Sequence, residues 1–91
     1  MDDLRAAFGY RVRELRERAG LTQEALAERA DLDVTYVSGI ERGRRNPGLN
    51  ILGRLAKALR VTLPTLVADL RELPRRPIRR GRPRKRVVPS K

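Results

Sequence analysis

The sequence predicts an all-α fold, a compact five-helix bundle over residues 1–73 followed by a disordered basic tail over residues 74–91. Three observations carry this. Apolar residues recur at spacings of three and four, the period of a helix with one buried face, and no stretch keeps the period of two that a half-buried strand needs. Gly20, Gly43 and Pro47-Gly48 divide the pattern into short pieces. The charge is also divided. All 11 acidic residues lie within 1–73, where 13 basic residues leave a net +2, whereas residues 74–91 hold nine basic residues, four prolines and no acid. Unopposed charge with little apolar surface argues against a packed fold in that tail.

The helices follow in order. Leu4, Phe8, Val12, Leu15 and Ala19 form one face of the first, which Gly20 ends. Gly9 inside it marks either a close contact or nothing at all. Thr22 is the N-cap of a short second helix, with Glu24 near the positive end of its dipole and Leu26, Ala27 and Ala30 as its stripe. Asp31-Leu32 make a turn. Asp33 caps the third helix, whose apolar face is Val34, Val37 and Ile40 and whose C′ residue is Gly43. Residues 44–48 are a loop. Leu49, Leu52, Leu55, Ala56 and Leu59 mark the fourth helix. Thr62 caps the fifth, with Pro64 tolerated in its first turn and Leu63, Leu66, Val67 and Leu70 on its apolar face.

Composition removes whole classes of function. The chain has no Cys, His or Trp, so disulfides, thiolate chemistry and the commonest general base and metal ligand are absent. No nucleophile–base pair or metal constellation is visible, so neither an enzyme nor a cofactor is expected. No effector domain appears, and no small-molecule ligand is expected. No apolar run approaches the ~20 residues of a membrane span, and Met1-Asp2-Asp3 does not open a signal peptide. The expectation is a soluble cytoplasmic protein. Its formal charge of +11 points to a polyanion, with nucleic acid ahead of an anionic membrane.

Two short helices joined by a tight turn have the geometry of a helix-turn-helix. The stretch Leu21-Thr22-Gln23-Glu24-Ala25-Leu26-Ala27, followed by Thr35-Tyr36-Val37-Ser38-Gly39-Ile40-Glu41-Arg42-Gly43-Arg44-Arg45-Asn46-Pro47, resembles the Cro/repressor-type helix-turn-helix family, the xenobiotic-response-element class. The resemblance runs from about Phe8 to Leu70, and its second block is similar to stand-alone regulators such as restriction–modification controller proteins. It implies a five-helix, homodimeric transcription regulator that binds double-stranded DNA. Two departures stand out. Asp31 occupies the turn where the family often has Gly, and Gly48 caps the fourth helix where it often has Ser or Thr. Asp tolerates a left-handed backbone better than most residues, and Gly is an acceptable N-cap.

The resemblance gives Gln23 a DNA phosphate, a role that suits a helix N-terminus. By periodicity Val34, Thr35, Ser38 and Gly39 lie on the outer face of the third helix. Thr35 and Ser38 can bond a base or a phosphate, and Val34 can meet a thymine methyl. Gly39 either brings backbone close or leaves a position unread. Tyr36 either touches DNA, as the family suggests, or packs at the rim of the core. Arg42, Arg44, Arg45 and Asn46 straddle phosphates, Asp33 is a cap rather than a reader, and Glu41 pairs with a nearby Arg. Leu63, Leu66, Val67 and Leu70 offer a dimerisation surface.

The tail carries Arg79-Arg80-Gly81-Arg82-Pro83-Arg84-Lys85-Arg86, whose Arg-Gly-Arg-Pro core resembles the AT-hook. Gly81 lets backbone sit on the floor of a narrow A·T minor groove, Pro83 keeps the chain extended, and Arg80 and Arg82 point along the groove. The other reading is a basic arm that touches phosphates without preference. Two further functions compete with an operator-binding regulator. One is an antitoxin-like autorepressor that also binds a partner protein. The other is an architectural protein that coats A·T-rich DNA.

Overall fold

Capping chemistry sets where each helix starts and stops. The computed structural model describes residues 3–70, which form α1 (Asp3–Arg18), α2 (Gln23–Ala30), α3 (Val34–Glu41), α4 (Leu49–Leu59) and α5 (Leu63–Leu66). Three N-termini are capped by the expected side chains. Thr22 Oγ1 accepts from the Ala25 N–H at 3.0 Å, Asp33 Oδ1 from the Thr35 N–H at 2.9 Å, and Thr62 Oγ1 from the Thr65 N–H at 3.2 Å. Each occupies a backbone donor that has no partner within its helix. Gly48 opens α4 without a side-chain acceptor.

The C-termini repeat one motif four times. The Leu21 N–H donates to the Arg16 carbonyl and the Gly20 N–H to that of Glu17, at 3.1 and 3.0 Å. The same pair of bonds joins Leu32 to Ala27 and Asp31 to Glu28, Arg44 to Gly39 and Gly43 to Ile40, and Val61 to Ala56 and Arg60 to Lys57. These are Schellman turns, which need one left-handed residue each. Gly20, Asp31, Gly43 and Arg60 supply it, with φ of 74°, 59°, 76° and 61°. The helix-turn-helix bend therefore does use Asp31 where glycine would be easier. Arg60 gave no sign of its conformation in its residue type.

α1 packs on α3, α2 on both α3 and α4, and α4 on α5. Val12, Leu26, Val37, Ile40, Leu55 and Leu66 are fully enclosed where these contacts converge. Among the described residues there is no strand, and no helix is long and apolar enough to cross a membrane.

The structure corrects several apolar assignments. Leu4 and Leu49 are 60% and 73% exposed, because each sits in the first turn of its helix, beyond the packed region. Ala19 lies past the end of α1 and is exposed. α5 is a single turn, too short to carry a stripe as far as Leu70. Leu66 is buried in the protein's own core and offers no surface for a partner, and Leu70 packs partly against that core. Only Leu63 and Val67 of the four proposed dimer residues are exposed, each at 37%. Residues 74–91, with the Arg79–Arg86 segment, lie outside the described residues.

Gly9 marks a close contact. A Cβ there would collide with the Ile40 carbonyl oxygen and sit 2.8 Å from that of Glu41. The backbones of α1 and α3 thus touch directly, and the obstacle is main chain that cannot swing aside. Gly9→Ala is expected to destabilise the protein by about 2 kcal/mol, although alanine is the better helix former by ~1 kcal/mol. Urea unfolding of the two proteins measures the difference, and a gain in stability would refute the contact.

Candidate nucleic-acid interface

A part-buried ion pair joins α1 to the end of α3, and its carboxylate also receives the start of α2. Arg16 of α1 donates from Nε to Glu41 Oε2 at 2.6 Å and from Nη2 to Oε1 at 3.1 Å. Its Nη1 donates to the Leu21 carbonyl at 2.8 Å. The Gln23 amide donates to Glu41 Oε1 at 3.0 Å. The two charged side chains are 13% and 4% exposed, so water screens them little. One carboxylate thereby ties the last turn of α1, the start of α2 and the last residue of α3. The hydrogen bond to Glu41 raises the Arg16 pKa above the ordinary arginine value, against the opposing effect of burial. A cationic group with a raised folded pKa contributes fully below its unfolded pKa. The arginine side of this pair is therefore constant from neutral pH up to the arginine range.

The expected pairing of Glu41 with an arginine is thus realised, with Arg16 as the partner. The apolar spacing of the first helix sets Arg16 apart from its packed face, with the other charged residues; the structure instead turns its side chain inward, where Glu41 and the Leu21 carbonyl receive it. Gln23 is half-buried and points across to the end of α3, with its amide already engaged.

α3 has the expected inner and outer faces, with two adjustments. Val37 and Ile40 are buried, Thr35 and Arg42 are exposed, and Ser38 and Gly39 are half-exposed. Val34 is half-buried and packs against the core, so it is less available to a thymine methyl than its spacing suggested. Tyr36 also packs on the core, which realises the rim reading for its inner side. Arg44, Arg45 and Asn46 are all exposed in the loop after α3. Arg45 does not extend outward with its neighbours. It folds back so that its Cζ lies 5.2 Å from the centroid of the Tyr36 ring.

A short helix held at its ends by Asp33 and Glu41, with hydroxyls on its free face and three arginines beside it, is the arrangement of a helix-turn-helix DNA-binding transcription regulator. Residues 12–66 match the model of the helix-turn-helix family, and the chain belongs to that family. It is similar to the control protein C.MunI of a Mycoplasma species, with 41% identity over 71 residues that cover 77% of this chain and 96% of that one. The crystal structure of the restriction-modification controller protein C.AhdI from Aeromonas hydrophila matches with a TM-score of 0.69 and 47% identity, covering 72% of this chain and 98% of that one. A hypothetical transcription factor from Neisseria matches with a TM-score of 0.68 and 43% identity, covering 71% and 75%.

Removing one partner of the central pair leaves the other charged and buried. Glu41→Ala is expected to cost about 3 kcal/mol of stability, well above an exposed ion pair. Glu17→Ala, which removes an exposed partner of Arg13, should cost less than ~0.5 kcal/mol. Equal losses in parallel urea titrations would show that the Arg16–Glu41 pair does not organise the fold.

Proposed function

We propose that the chain is a homodimeric regulator that binds a pseudo-palindromic operator, with α3 of each protomer in a major groove. The observation that carries this is the free face of α3. Thr35 and Ser38 stand at its accessible side, with Arg42, Arg44, Arg45 and Asn46 following. Hydroxyls can accept from or donate to base edges, while Arg42 and Arg44 match phosphates on either side. Leu63 and Val67 are the exposed apolar residues of the α5 region, and they support a two-fold contact there. Similarity along nearly the whole of C.MunI supports a regulator of the controller type. The basic segment from Arg79 to Arg86 is assigned to DNA beside the half-sites, through phosphates or an A·T minor groove.

Selection of bound sequences from random DNA tests the reading. Thr35→Ala and Ser38→Ala should each cost on the order of 1 kcal/mol and relax the choice at particular base pairs. Arg44→Ala should weaken all sites alike and flatten the salt dependence by about one unit. An unchanged motif in both hydroxyl variants would remove Thr35 and Ser38 from base reading. Residues 1–73 alone should keep the half-site and lose any A·T preference in the flanks.

Assembly has its own measurement. Sedimentation of the intact chain on the selected operator should give two protomers per palindrome, and Val67→Glu should weaken that assembly. One protomer per site at saturation would overturn the two-fold arrangement.

A further inference from the structure

Gly39 has no backbone reason to be glycine. It lies inside α3, its φ is not positive, and an interior glycine weakens a helix. What occupies the missing side chain's place is Arg45. A Cβ on Gly39 would fall 2.9 Å from Arg45 Cγ and 3.1 Å from its Nε. Further along, the same side chain places its guanidinium over the Tyr36 ring, with Cζ 5.2 Å from the centroid. The Gly39 carbonyl also accepts from the Arg44 N–H at 2.8 Å, which turns the chain so that Arg45 can return over the helix.

We infer that Gly39 and Tyr36 are positioning residues: they hold Arg45 on the outer face of α3 before DNA arrives, so that a loop arginine enters the groove as part of the helix surface. The inference rests on the DNA-binding reading and deepens it. Gly39 touches no base in this scheme and leaves no position empty. It provides a channel across the helix, and the face of Tyr36 supplies the attraction that closes the side chain down. An exposed arginine otherwise samples many rotamers, and fixing it on binding opposes association. Held in advance, Arg45 meets the groove with that loss already incurred. Its charge stays over the Tyr36 ring, on α3 itself, rather than out in the loop.

Two measurements test this. In the free protein, the Cγ and Cδ protons of Arg45 should resonate upfield through shielding by the Tyr36 ring. The shift should persist in Tyr36→Phe and vanish in Tyr36→Leu and in Gly39→Ala. On the operator selected by the intact chain, Gly39→Ala should lower affinity roughly three- to tenfold, the effect of releasing one ordered side chain. Its melting temperature should be unchanged or higher, because alanine favours the helix. In an Arg45→Ala background the same substitution should have no further effect. A full Gly39→Ala loss in that background would mean that Gly39 acts directly on DNA, and would overturn the inference. So would an Arg45 without upfield shifts in the free protein. If the intact chain selects no DNA sequence, the functional reading fails and takes this inference with it, while normal enrichment with independent losses sinks the inference alone.

Discussion

The Glu41 carboxylate receives three donors from two other parts of the chain: two from Arg16 and one from Gln23. Without it, α3 would still pack through Val37 and Ile40, but its tilt relative to α2 would rest on apolar contact, which has no direction of its own. The bidentate geometry adds direction. Arg16 also holds the Leu21 carbonyl, so the turn leading into α2 is bound by the same guanidinium. The position of every outer residue of α3, and of the loop that follows, depends on this arrangement. The pair is therefore a device for orientation more than for stability, since a buried ion pair is often no more stable than an apolar replacement.

Most of the framework was legible because it is local. Thr22, Asp33 and Thr62 are capping residues by type, and their bonds reach two or three positions along the chain. Gly20 and Gly43 announced helix ends because only glycine takes positive φ without strain. Arg60 takes the same conformation with a side chain that gives no such notice. Long-range placement was less legible. The partner of Glu41 lies 25 residues away, and the apolar spacing of α1 left Arg16 among its outward charges. Val34 and Tyr36 illustrate the limit of periodicity. A helix of two turns has a face wide enough that residues at its edge are both packed and accessible, and spacing cannot apportion them. Leu66 was read as surplus apolar surface because the depth of the core beneath α5 depends on α4, which the local pattern does not describe.

Two of the glycines within helices, Gly9 and Gly39, have opposite meanings. Gly9 lets two main chains meet, so its neighbour is rigid and the contact belongs to the core. Gly39 makes room for a flexible side chain on the surface, so its neighbour can move and the contact belongs to the outer side of α3. Both lower the intrinsic preference for helix in their segments. The sequence marks them identically, and only the identity of the neighbouring atoms separates a packing requirement from a positioning one.

The distribution of these contacts along the chain bears on the route by which the protein assembles. α2 and α3 are joined by the Asp31 turn alone, and their caps and Schellman bonds close over a few residues, so the loop entropy opposing their encounter is small. α1 reaches α3 only when the ends of a long segment are brought together, as the 25-residue separation of Arg16 and Glu41 shows. α2 and α3 are thus the pair whose encounter chain entropy opposes least, and α1 has the longer loop to close. Changes confined to the Gly9 contact would then act mainly on how fast the native state opens, and changes in the Asp31 turn on how fast it forms.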